Sequence, residues 1–156
     1  MRGKLWILIV PILIVAGLGL YFWRGIEWES VVSMDLVVSL ETTGIQSAHA
    51  GNSTVNFQMA RNSQGRLTIS IVNNGTVTLE QTRLYIDNAS YWLSLESGSG
   101  QVYPPITITV GVIDKNDGVS RVWTLIAPNL RGTYEIALRA ISNKISCWST
   151  IIVTVT

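Results

Sequence analysis

The sequence predicts an all-β protein: an immunoglobulin-like antiparallel β-sandwich preceded by one N-terminal transmembrane helix. Three observations predict it. Residues Leu5 to Trp23 carry no charge, and as a helix that run is about 28 Å long, close to the hydrocarbon thickness of a bilayer. From Val31 onward, apolar residues recur at every second position in short runs divided by turn residues, the period of half-buried strands. No stretch after residue 30 repeats its apolar residues with the helical period. The chain therefore divides into a transmembrane anchor at 1–25, a short juxtamembrane linker at 26–30 and a sandwich domain at 31–156.

The anchor is framed by residues suited to a membrane interface. Trp6 lies near one end of the apolar run, and Tyr21, Phe22 and Trp23 crowd the other, as aromatic side chains do at the headgroup level. Arg2 and Lys4 precede the run, while Arg24 behind it is opposed by Glu27 and Glu29. The positive-inside bias puts the N-terminus in the cytoplasm and the body outside. Two other readings exist. A cleaved signal peptide could use the small residues Ala16, Gly17 and Gly19, but Ala48-His49-Ala50, the A-x-A match, lies far beyond the run. A pilin-type leader cut after Arg2-Gly3 would leave Lys4 heading a helix meant for a filament core, where an unpaired ammonium is costly.

In the body, Met34, Leu36, Val38 and Leu40 alternate with polar residues over Val31–Glu41, which reads as the first strand. Thr42–Asn52 reads as a loop. Val55, Phe57 and Met59 mark a strand, Arg61–Gly65 a turn, and Leu67, Ile69 and Ile71 the next strand. Asn73-Asn74-Gly75 reads as a hairpin turn, because Asn and Gly tolerate the positive φ of primed turns. Leu84 and Ile86 have the opposite parity to Val77 and Leu79, so a bulge is expected between Glu80 and Arg83. A short strand carries Tyr91, Leu93 and Leu95, and Ser97–Gln101 is a flexible loop. Pro104 and Pro105 require an edge or a strand entry. Ile106, Ile108, Val110 and Val112 share one face of a strand, Asp114–Gly118 turns the chain, and Val119–Ala127 is a further strand. With the closing pair, that is about nine strands, the number and spacing of a sandwich.

Charge and composition exclude several functions. Charged residues are 13% of the chain and net charge is +1. Residues 26–156 carry eight basic and ten acidic groups, net −2, with no basic stripe for nucleic acid. Serine and threonine hydroxyls supply much of the wetted surface, which suits an extracytoplasmic domain. One cysteine cannot form an internal disulfide, so stability must come from burial.

The stretch LTISIVNNGTVTLEQTRLYIDN, Leu67–Asn88, resembles the first half of CARDB-type and galactosidase-associated immunoglobulin-like modules of bacterial and archaeal envelope proteins. APNLRGTYEIALRAISNKISCWSTIIVTV, Ala127–Val155, resembles their last hairpin. The resemblance covers about residues 66–156. It implies an immunoglobulin-like fold and adhesion, spacer or assembly work rather than catalysis.

Parity assigns the closing hairpin. Tyr134 shares a face with Ile136, Leu138 and Ala140, and a Tyr just after a Gly turn can bury its ring and return its hydroxyl to backbone, as in a tyrosine corner. Cys147 falls with Ile151, Val153 and Val155 on the core face, as a small hydrophobe. Trp148 and Ile152 fall on the opposite face and are a candidate contact surface. Arg131, Arg139 and Lys144 read as the solvated side of the pair.

No catalytic set can be named. His49 is the only histidine, and the carboxylates are scattered. Asp114–Gly118 is one residue short of the calcium-loop spacing and lacks the distal Glu. No cofactor or metal is expected. Asn52, Asn74 and Asn88 each head an N-x-S/T sequon and are candidate glycosylation sites in a host that modifies asparagine.

The expectation is a non-catalytic, single-pass cell-surface protein acting as a structural, adhesion or assembly component of the cell envelope or a surface appendage. Its partners would be membrane lipid and other envelope proteins or further copies of itself, not nucleic acid. Two alternatives follow from the same residues. One is a pilin-like filament subunit that lends strand 31–41 to a neighbour. The other is an accessory subunit of a membrane enzyme or transport complex, packed through Gly17 and Gly19.

Overall fold

A computed structural model describes residues 30–156 apart from positions 43, 50, 91 and 92, and without the side chains of 45 and 47–49. The anchor at 1–25, its interface residues Trp6, Tyr21 and Trp23, and nearly all of the linker lie outside the described residues. Among the described residues no helix is long and apolar enough to cross a membrane.

The described residues form two packed sheets. Eleven strands run in chain order: β1 (Asp35–Glu41), β2 (Ile45–His49), β3 (Thr54–Met59), β4 (Gln64–Val72), β5 (Leu79–Ala89), β6 (Ser94–Ser97), β7 (Gly100–Val102), β8 (Ile106–Ile113), β9 (Gly118–Ile126), β10 (Gly132–Ile141) and β11 (Ser146–Val155). The first sheet has the order β2-β1-β4-β9-β6-β7 and the second β3-β11-β10-β5-β8. This is the two-sheet, all-β sandwich that the alternation predicts. Strict period two buries one row of each strand: Leu36, Val38 and Leu40 from β1, Leu67, Ile69 and Ile71 from β4, Ile136, Leu138 and Ala140 from β10, and Ile151, Val153 and Val155 from β11.

Several expectations need correction. The first strand pairs within its own chain, antiparallel to β4 on one side and to β2 on the other. It has no free edge to lend, so the strand-exchange filament built on residues 31–41 falls. The expected loop at 42–52 contains β2, which its small residues hid. The sheets are not purely antiparallel, because β3 pairs parallel to β11. The expected loop at 97–101 is the tip of the β6–β7 hairpin, with Gly100 at φ +113°.

Asn73-Asn74-Gly75 is not a hairpin turn. β4 and β5 belong to different sheets, so this segment arches across the core, and none of the three residues has positive φ. Asn73 is fully buried. Its Nδ2 donates to the carbonyls of Val77 (2.9 Å), Ile113 (3.1 Å) and Asp114 (3.1 Å), and its Oδ1 accepts from Gly75 N–H (3.0 Å). Its backbone bonds Asp117 and Asn116 of the β8–β9 turn. The asparagine thus ties two connections together at one end of the sandwich. Gly75 is required by close approach: a Cβ there would run into the carbonyl oxygen of Val31 and the amide of Ser33.

The expected bulge is present, with register shifts between Leu79 and Arg83 and Gln81 at φ 53°. It has a counterpart on β8 that the alternation concealed. Gly111, paired with Thr82, sits at φ +94° and shifts the face by one residue. Val112 is therefore 60% exposed and Ile113 is 1% exposed, the reverse of the expected parity. Between these bulges the Thr82 hydroxyl is buried without a hydrogen-bond partner.

Candidate contact surface

The outer face of the second sheet collects the candidate contact residues. Cross-strand register puts Trp148 of β11 opposite Arg139 of β10, Arg139 opposite Tyr85 of β5, and Tyr85 opposite Thr107 of β8. Trp148 is 51% exposed. Ile152 lies on the same face, half-buried, between Glu135 and Asn56. Both residues therefore point where their parity predicts.

Arg139 is not simply solvated. The register shift between Ala137 and Leu138 leaves Asp87 without a cross-strand partner. Alternation with the buried Leu84 and Ile86 puts Asp87 on the outer face. There the Arg139 guanidinium donates from Nε to Oδ2 and from a terminal nitrogen to Oδ1, both at 3.0 Å. The same group lies 4.7 Å from the centre of the Tyr85 ring. Side-chain exposures of 45% and 40% keep the ion pair weak. The guanidinium thus sits between a carboxylate and an aromatic ring. Sequence reasoning missed this trio, although Tyr85 and Asp87 alternate with Leu84 and Ile86 and were assignable to the outer face.

The hairpin's other residues are scaffold. Tyr134 is buried and its hydroxyl donates to Leu130 O at 2.8 Å, the predicted corner. Cys147 faces the core at 2% exposure, and burial, reinforced by the charge of Asp35, pushes its thiol up to about 11. A thiol so placed is not a nucleophile at neutral pH.

The sequon asparagines Asn52, Asn74 and Asn88 are all exposed. Asn52 Oδ1 accepts from Trp148 N–H (3.0 Å), and Asn74 Nδ2 donates to Asp35 Oδ2 (2.7 Å). Asn88, near the end of β5, has no side-chain partner among the described residues. His49 has its side chain outside the described residues. Asp114 and Asp117 accept hydrogen bonds from Thr78 and from Gly118 N–H, and no group of three metal-ligating side chains occurs among the described residues. A hollow of about 430 Å³ beside the β7–β8 connection is lined by Ser90, Leu93, Gln101, Tyr103 and Pro104 among others, and offers hydroxyls and an amide.

No family model matches the chain, and no curated protein matches it. Among solved structures it is similar to the CARDB domain of a Pyrococcus furiosus protein, over 81% of this chain and 98% of that one, at 13% identity and a TM-score of 0.40. A family 123 glycoside hydrolase from Clostridium perfringens shares 14% identity over 65% of this chain at a TM-score of 0.40, and only 22% of the hydrolase is covered. An ASH/PapD-like domain of human CEP192 shares 9% identity over 76% of this chain and 84% of its own, at a TM-score of 0.39.

Proposed function

We propose that this chain is a single-pass membrane protein with a cytoplasmic N-terminus that presents its sandwich outside the cell. There it acts as a non-catalytic structural, adhesion or assembly component of the envelope or of a surface appendage. The observation that carries the reading is the row Trp148–Arg139–Tyr85 on the outer face of the second sheet. A half-exposed tryptophan beside an arginine stacked on a tyrosine has the composition of a protein-contact centre, where Trp, Arg and Tyr dominate binding energy. The uncharged run Leu5–Trp23 and its aromatic flanks support the anchor. On this reading a linker as short as 26–30 would give the domain little reach beyond its anchor, which favours a partner within a membrane-associated assembly. The accessory-subunit reading is the form of this proposal in which that partner is an enzyme or transporter. The buried thiol of Cys147 and the scattered carboxylates support a non-catalytic role. Glycans at Asn52, Asn74 and Asn88 would extend from the exposed surface.

The test is copurification. Full-length protein is extracted from native membranes in mild detergent, and bound proteins are identified by mass spectrometry for wild type and Trp148→Ala. A partner retained by wild type and lost from the variant supports the proposal. Equal recovery by both places the contact elsewhere.

A further inference from the structure

The two edges of the second sheet are treated differently. At the β3 edge, the side chain of Gln46 acts as a stand-in for a neighbouring strand. Its Oε1 accepts from Gln58 N–H (3.0 Å) and its Nε2 donates to Gln58 O (2.9 Å). That amide satisfies the N–H and carbonyl of Gln58, one pair that a foreign strand would use, a protection edge strands commonly need. The β8 edge has no such cap among the described residues. The chain is uncharged from Gly98 to Ile113, so no lysine or carboxylate guards this edge. Ile106, Ile108 and Val110 pack against the core but remain half-buried, because no strand lies beyond them.

We infer that β8 pairs with β8 of a second copy of this chain, antiparallel about a twofold axis through Ile108. The edge itself specifies the occupant. A row of unpaired backbone groups is complemented by an extended strand, and apolar side chains at alternate positions call for the same period in that strand. The usable window runs from Ile106 to Val110, since Pro105 has no N–H to donate and Gly111 bends the strand. Within it ITITV is self-complementary. Ile106 meets Val110 and Ile108 meets its own copy on the core side, while Thr107 meets Thr109 on the outer side. Neutrality matters here, because charges of one sign at both 107 and 109 would face each other across the axis. The pairing joins two five-stranded sheets into one and closes off the half-covered isoleucines.

The inference does not depend on the Trp148 surface, and charge swapping tests it. Thr107 and Thr109 are exposed, so Thr107→Lys/Thr109→Lys and Thr107→Glu/Thr109→Glu alter the edge with little demand on the core. Full-length chains in nonionic detergent are compared by sedimentation, with urea midpoints checking that each variant folds. Wild type is expected to dimerise. Each double variant should dimerise about tenfold or more weakly, since it sets two like-charged pairs face to face. An equimolar mixture of the two should recover the dimer. Val112→Lys, exposed beyond the bulge, should dimerise as wild type does. A monomeric wild type, undiminished dimerisation of the lysine variant, or a mixture that stays monomeric would each overturn the inference.

Discussion

Replacing Asn73 by alanine separates two accounts of the Asn73-Asn74-Gly75 segment. If it were a primed hairpin turn, Asn73 would be a surface residue chosen for its backbone, and glycine would serve as well. In the arch described above, its side chain makes four hydrogen bonds at a fully buried position. Truncation leaves the bonds at Ile113 O and Gly75 N–H, both buried, without their partner, at about 1–3 kcal/mol for each stranded group. The carbonyls of Val77 and Asp114 are partly wetted and add less. A total loss of about 3 kcal/mol is expected. With a urea dependence of about 1–3 kcal/mol per molar, the unfolding midpoint should fall by roughly 1–3 M. Asn74→Ala is the internal control. Its one bond, to the Asp35 carboxylate, is exposed, and the change should cost less than about 1 kcal/mol. The assay is equilibrium urea unfolding of the full chain in detergent, followed by tryptophan fluorescence. An Asn73→Gly variant as stable as wild type would refute the arch.

Three further outcomes follow from buried groups. Thr82→Val removes a buried hydroxyl that has no partner and should leave stability unchanged or raise it by about 1 kcal/mol; a clear loss by urea unfolding would mean that the hydroxyl is satisfied. Tyr134→Phe deletes the 2.8 Å bond to Leu130 O and should cost about 1 kcal/mol, whereas no change in midpoint would make the corner ornamental. Cys147 gives a pH dependence. The native thiol titrates at about 11 against an ordinary 9.0, so the folded state holds a proton that the unfolded chain releases. Stability from this group is complete below pH 9 and is lost as pH rises through 11. Urea midpoints of wild type should therefore fall more steeply between pH 9 and 11 than those of Cys147→Ala, and parallel curves would contradict the burial argument.

The sequence carries the faces of strands better than their partners. Period two assigned Tyr134, Cys147, Trp148 and Ile152 to the sides on which they are found, because one buried face fixes every second residue. It could not assign sheets. A turn signal marks where the chain reverses and is silent on whether the next strand stays in the same layer. Asn73–Gly75 and Asp114–Gly118 both cross between sheets, while the reversals at β1–β2, β6–β7 and β10–β11 do not. Gly111 concealed a parity switch in a run that looked regular, and its presence inside an apolar strand was the available clue. The Arg139–Asp87–Tyr85 trio needed the pairing of β5 with β10, which no local pattern supplies.

The central proposal is that the outer face of β11, β10 and β5 is where this chain meets its partner. Site-specific photocrosslinking in intact cells tests it most directly, with the probe placed at Trp148 and, separately, at Val122. Val122 is 44% exposed on β9 of the first sheet, so it matches Trp148 in access but not in location. The account predicts a discrete crosslinked product with another membrane or envelope protein from position 148 and none from position 122. Crosslinking from 122 alone, or from neither position, would contradict it.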